Sequence, residues 1–228
     1  MSQNHFVNRE ISWLDFNARV LQEAQDENVP LIERLRFIGI FSNNLDEFYK
    51  VRYATVKRIA RLEEAKNKVF GDRPAEMLLK EITSKTIALQ KESLETLNNL
   101  HAALEQENIF ILNEDQINEE QQRFINTYFS QEVGPSLVTL MLNNIQSISR
   151  IKDSNAFLAI RMALDAKKHP FLDPIQFALI EIPSSLKRFV VLPSVDGKTQ
   201  LMLLDDLIRT QLSTIFDVFQ HNSIEAHM

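Results

Sequence analysis

The residues best equipped for chemistry sit in one short stretch, "FIGIFSNNLDEFYKVR", residues 37–52. At its centre, Ser42-Asn43-Asn44 are side chains that compete with the backbone for hydrogen bonds and are poorly tolerated inside a helix. Asn43 with Asp46, and Asn44 with Glu47, have the spacing of an N-cap and its N3 carboxylate. The pattern predicts one helix ending near Phe41 and another starting near Asn44. One cap contributes about 1 kcal/mol and requires one such residue. The surplus has a second use. A helix start offers free amide N–H groups, and a carboxamide offers a donor and an acceptor, which together suit a polar ring edge or an anion. Spacing alone leaves capping and ligand contact both open.

The next helix carries a second pattern. At about 100° per residue, Lys50, Lys57, Arg61 and Lys68 return to one face, with Phe48, Val51, Ile59 and Leu62 on the other. A cationic stripe of this kind is either a solvated face or a surface for a phosphate chain. Arg52 falls among the apolar residues, where a guanidinium requires a carboxylate or a phosphate, because a lone buried charge is too costly.

Other chemistry is sparse. The five histidines, His5, His101, His169, His221 and His227, are scattered without metal-ligand spacing. Neither GxxxxGK[ST] nor GxGxxG occurs, and the absence of cysteine excludes disulfides, thiolate metal sites and a cysteine nucleophile. Asp205-Asp206 and Glu63-Glu64 read as a helix start and a solvated face. Residue types and spacing therefore give no complete active site. A net charge of −6 argues against general nucleic-acid binding. The opening MSQNHFVNRE has no apolar signal core, and no apolar run reaches the ~18 residues of a membrane span. A soluble cytoplasmic protein is the expectation.

The elements that must position these residues are mostly helices, since four glycines in 228 residues are too few for a turn-dense β architecture. Ser12 and Asp15 suggest a capping-box start to a helix bearing Trp13, Phe16, Val20, Leu21 and Ala24, which Asn28-Val29-Pro30 ends. A second helix starts at Pro30 with Leu31, Leu35 and Ile38, and a third runs to Gly71-Asp72-Arg73-Pro74. A long helix over Pro74 to Gln106 is lined by Leu78, Ile82, Leu89, Leu97, Leu100 and Leu104. Beyond it, Ile109–Leu112, Ala156–Leu164, Ile175–Ile182 and Phe189–Leu192 read as strands. Asn118 caps a helix reaching about Glu132, Val195-Asp196-Gly197-Lys198 reads as a turn, and Asp205-Asp206 opens a final helix. The fold class is α+β, mainly α. An antiparallel helical bundle over 1–106 is followed by a smaller, incomplete α+β domain over 107–228.

Residues 6–54, "FVNREISWLDFNARVLQEAQDENVPLIERLRFIGIFSNNLDEFYKVRYA", closely resemble the amino-terminal segment of bacterial polyphosphate kinases, with REISWLDFN, PLIERLRF and SNNLDEF as the distinctive blocks. "INEEQQRFINTYF" is similar to the start of that family's head domain, although "PSLVTLMLNNIQSISRIKDSNAFLAIRM" stands where the family has a Pro-rich stretch. The resemblance implies an ATP:polyphosphate phosphotransferase that moves the γ-phosphate of ATP reversibly onto polyphosphate through a phosphohistidine, with Mg2+ assisting. It implies that the histidine and most phosphate-binding groups lie in two carboxy-terminal domains outside this chain, which is then a fragment inactive alone. It further implies homo-oligomerisation through the head domain. The second asparagine of SNNLDEF contacts the base end of ATP in the family, which assigns that contact to Asn44. A different reading of the residues is a non-catalytic helical scaffold that uses the long helix to bind proteins.

Overall fold

The computed structural model describes residues 8–61, 69–70, 73–142, 151, 155–165, 167–194 and 197–227. His5, Leu62, Glu63, Glu64, Lys68, Gly71, Asp72, Val195 and Asp196 lie outside the described residues. The architecture is α+β and mainly helical, and the chain divides into two compact units, Met1–Glu107 and Asn108–Met228. The second unit, expected to be the smaller, is the longer of the two.

In the first unit, α1 spans Arg9–Gln25. It starts at Asn8, whose Oδ1 accepts a hydrogen bond from the Glu10 N–H at 3.0 Å, and not at Ser12. Asp15, the expected capping partner, instead forms an ion pair with Lys85. The helix ends at Asp26, whose Oδ1 accepts from the Asn28 backbone N–H at 2.9 Å and from its side chain at 2.8 Å. Those two bonds hold the Asp26 carboxyl below its ordinary pKa.

After Pro30, α2 spans Leu31–Phe48 without a break. The expected helix start beside Asn44 is therefore not formed, because packing overrides local preference. Phe41, Leu45 and Phe48, at i, i+4 and i+7, are buried along one face that runs through the polar triplet. A polar residue inside a helix costs only a few tenths of a kcal/mol to about 0.7 kcal/mol, against roughly 1.5–3 kcal/mol for each large side chain buried. A π-helical turn, Tyr49–Tyr53, then leads into α3, Ala54–Arg61. The strands β1 (Val69–Phe70) and β2 (Arg73–Pro74) pair antiparallel ahead of α4, Ala75–Gln106. At ~1.5 Å per residue α4 is a rod of about 48 Å. Leu78, Ile82, Leu89, Leu100 and Leu104 are buried along it and Leu97 is half-buried. It stops where Asn108 adopts φ 59°, the left-handed conformation that asparagine tolerates. α1 packs on α2, and both pack on α4 around Leu14, Leu21, Phe41, Phe48, Leu78 and Ile82.

In the second unit, β3 (Ile109–Leu112) precedes α5 (Glu119–Tyr128). Asn118 Oδ1 accepts from the Gln121 N–H and Gln121 Oε1 from the Asn118 N–H, both at 3.0 Å, a reciprocal capping box. The expected continuation to Glu132 is made by a π turn, Phe129–Val133, and a 3-10 turn, Gly134–Ser136. The remaining elements are β4 (Val138–Met141), β5 (Phe157–Leu164), β6 (Ile175–Glu181), β7 (Phe189–Leu192), β8 (Thr199–Leu203), α6 (Leu204–Thr210), α7 (Leu212–Ile215) and β9 (His221–His227). One sheet has the order β4-β6-β5-β9, all antiparallel. The other has the order β3-β8-β7, with β3 parallel to β8 and β7 antiparallel to it. Leu158, Ile160, Met162 and Leu164 alternate into a core shared with Ile125, Phe129, Ile180 and Leu207. Among the described residues no helix is long and apolar enough to cross a membrane.

Candidate functional site

A cleft of about 420 Å³ opens in the helical unit. α1 supplies Arg9, Glu10, Trp13 and Phe16, spaced so that one face of the helix lines the cleft. α2 supplies Asn44, Glu47 and Phe48, the π turn Val51 and Arg52, and α3 Thr55 and Val56. The Trp13 and Phe48 rings stack with centroids 5.0 Å apart and planes 23° from parallel. Phe16 and Val51 stay half or more exposed, at 50% and 60%. The lining thus offers aromatic and aliphatic surface beside a carboxamide and charged groups, the composition of a small-molecule site.

Asn44, the candidate from the sequence, lines this cleft. It does so from mid-helix, so the free helix-start amides expected beside it are not available. Its side chain is half-buried, and its Nδ2 donates to Asn17 Oδ1 at 3.0 Å. Asn44 Oδ1 has no hydrogen-bond partner among the described residues and is not among their buried unpaired atoms, so it reaches solvent. One acceptor and one N–H of the amide therefore remain for a ligand.

Arg52 has the carboxylate partner its position demands. Its Nη1 lies 3.6 Å from Glu10 Oε1, and Arg9 Nη2 lies 3.3 Å from the same atom. Glu10 is 5% exposed, a buried carboxylate held between two guanidiniums at the rim of the cleft. Arg52 stands one helical turn beyond Phe48 and lies within the π turn. The i→i+5 bond of that turn encloses one residue more than an α-helical bond, so the helix beyond it is rotated by about 100° from the α register. The register predicted from the sequence, which put Arg52 on the apolar face, does not extend across residues 49–53.

The cationic stripe stays out of the cleft. Lys50 Nζ is 2.6 Å from Asp46 Oδ2, Lys57 Nζ sits 5.7 Å from the Tyr53 ring centroid, and Arg61 is exposed. Lys68 lies outside the described residues. None of the described histidines, His101, His169, His221 and His227, lines the cleft. Glu10 and Asn17 carry no signal of their own in the sequence: Glu10 precedes the helix start expected at Ser12, and Asn17 is a single polar residue among apolar ones.

The family model of the polyphosphate kinase N-terminal domain matches residues 6–112, and that of the polyphosphate kinase middle domain matches residues 120–228. This chain belongs to the polyphosphate kinase family. The polyphosphate kinase of Vibrio cholerae is 42% identical to it over 218 residues, which are 94% of this chain and 30% of that protein. The polyphosphate kinase of Escherichia coli K12 is 36% identical over 227 residues, 97% of this chain and 32% of that protein. The crystal structure of polyphosphate kinase from Porphyromonas gingivalis superposes with a TM-score of 0.81 at 25% identity, over 99% of this chain and 33% of that one. The chain thus spans about a third of the length of the polyphosphate kinases it matches.

Within this family segment the cleft does not have the donors of a magnesium site. Its carboxylates are Glu10 and Glu47, and Glu10 is already engaged by Arg9 and Arg52. Among the described residues no group of three or more histidines and carboxylates is placed to hold a metal.

Proposed function

We propose that this chain is the nucleotide-side part of an ATP:polyphosphate phosphotransferase, and that the cleft under Asn44 takes the base end of ATP. The reaction moves the γ-phosphate of ATP reversibly to the end of a polyphosphate chain. A histidine nitrogen outside this chain attacks the γ-phosphorus and ADP leaves. A terminal polyphosphate oxygen then takes the phosphoryl group and frees the histidine. The work of the present residues is binding and orientation. Asn44 offers its unused acceptor and N–H to the polar edge of adenine, while Phe16 and Val51 cover its faces. Arg9 and Arg52 stand on the same lining, paired through Glu10, where their guanidinium N–H groups are the cleft's cationic donors. Mg2+ is bound mainly by groups outside this chain. The protein acts in the cytoplasm as a homo-oligomer assembled through the second unit, with no nucleic-acid partner.

The observation that carries this reading is the position of Asn44: it lines a cleft of about 420 Å³ with half of its amide unused. In a full-length polyphosphate kinase bearing this segment, Asn44→Ala is expected to raise the apparent KM for ATP roughly tenfold, the worth of about one hydrogen bond to a polar ligand. The KM for polyphosphate should stay within about twofold. Equal effects on both substrates, or none, defeat the assignment.

A further inference from the structure

The amide that lines the cleft is oriented from a neighbouring helix. Asn17 of α1 is 0% exposed and stands in the buried row Leu14–Asn17–Leu21, where the i, i+3, i+7 spacing calls for a third large apolar side chain. A carboxamide in that place is costly unless its polar atoms are bonded, and both ends are. Asn17 Nδ2 donates to the Phe41 carbonyl at 3.1 Å, and Asn17 Oδ1 accepts from Asn44 Nδ2 at 3.0 Å.

The polarity of this relay is forced. A backbone carbonyl only accepts, so Asn17 must turn its NH2 to Phe41 and its oxygen to Asn44. Asn44 must answer with its own NH2, which leaves its Oδ1 as the unused acceptor. Without Asn17 the Asn44 amide could rotate or flip, and a ligand would have to supply the ordering entropy on binding.

We infer that Asn17 is a positioning residue for nucleotide binding: buried and out of reach of the ligand, it fixes which edge of the Asn44 amide the cleft presents. The inference rests on the assignment of Asn44 to the base end of ATP. Its substrate class is the same, a purine nucleotide presenting an exocyclic amine beside a ring nitrogen.

The test is a double-mutant cycle in a full-length polyphosphate kinase bearing this segment, with KM and kcat measured for ATP and for polyphosphate. Asn17→Ala is expected to raise the KM for ATP by roughly the same tenfold factor as Asn44→Ala. The double variant should be no worse than either single one, and kcat and the polyphosphate KM should stay within about twofold. A purely structural asparagine gives other results: an unchanged ATP KM for Asn17→Ala, independent factors that multiply toward a hundredfold, or equal losses on both substrates. Each of these overturns the inference. If Asn44→Ala is itself silent, the base contact fails and the inference falls with it; if Asn44→Ala is effective while Asn17→Ala is silent, only the positioning role falls. Should Asn17→Ala not fold, Asn17→Leu continues the apolar row of Leu14 and Leu21 while still removing the acceptor for Asn44 Nδ2. It is expected to raise the ATP KM as Asn17→Ala does, and an unchanged ATP KM overturns the inference.

Discussion

Removing the Arg52 guanidinium strands a buried charge, and the penalty can be worked from the geometry. Glu10, 6% exposed at its side chain, has Arg52 Nη1 at 3.6 Å and Arg9 Nη2 at 3.3 Å. At an effective dielectric of about 20 the Arg52 attraction alone amounts to roughly 4–5 kcal/mol before desolvation. Two features reduce it. Arg52 is 31% exposed, and Arg9 remains, although at 79% exposure it is well screened. The expected net loss for Arg52→Met is about 2 kcal/mol in urea-induced unfolding, less than the ~3–5 kcal/mol seen when a fully buried pair is broken. Glu10→Gln should cost under about 1 kcal/mol, because the orphaned Arg52 can turn toward water. In the double variant no unpaired carboxylate is left, so it should be more stable than Arg52→Met by about 1 kcal/mol or more. Strict additivity of the two single changes, or a cost for Arg52→Met below about 0.5 kcal/mol, refutes the claim that Glu10 depends on Arg52.

Other sites give three further outcomes. Burial, then the neighbouring Asp205 and Glu114 carboxylates, push the Asp206 carboxyl up from 3.8 to about 6. Its folded state therefore holds a proton that the unfolded state releases sooner, so stability from this group is full below about pH 4 and declines as pH rises to about 6. Asp206→Asn should flatten that decline in urea titrations and, after allowance for solvent screening and the lost Arg209 partner at 3.7 Å, gain about 1 kcal/mol at pH 7; an unchanged slope contradicts it. At the capping box, Asn118→Ala should cost about 1 kcal/mol. Gln121→Ala should cost more, about 2 kcal/mol, since the 1% exposed Gln121 also donates to the Pro193 carbonyl at 3.1 Å and Gln200 Oε1 at 2.6 Å; the reverse order in thermal melts removes that ranking. The 228-residue chain alone should bind ATP weakly, because one side of a nucleotide site yields few contacts against the cost of association, and calorimetry showing submicromolar affinity would refute this.

Long apolar periodicity is the legible part of the fold. The row from Leu78 to Leu104 announces α4, and the β-branched runs at Ile109–Leu112 and Ile175–Ile182 announce β3 and β6. In the second unit three strands are not legible, for physical reasons. β9, HNSIEAH, turns only Ile224 and Ala226 toward the core, and β8, TQLML, runs straight into the apolar start of α6. β4, VTLM, buries none of its residues fully and, among the described strands, pairs with β6 alone. At the site, Asn44 stands out through its unusual setting, but the local explanation of that setting is wrong. The triplet reads as a helix cap, whereas the satisfying partner is Asn17, 27 positions away, and no local pattern encodes such a contact. The need of Arg52 for a counter-charge is visible in the sequence, but its partner Glu10 stands on another helix, and no local pattern encodes that contact either.

The parallel pairing of β3 with β8 sets an order of events during synthesis. Ile109–Leu112 leaves the ribosome directly after the long helix, yet the residues it is matched to, Thr199–Met202, emerge only when about three-quarters of the second unit has been made. Until then an Ile-Phe-Ile-Leu segment has its ladder groups unmatched and must rely on water or a chaperone to keep it from pairing elsewhere. Any version of the chain cut short before Thr199 would carry that hazard permanently, and pull-down of stalled nascent chains of graded length would locate the point at which it ends.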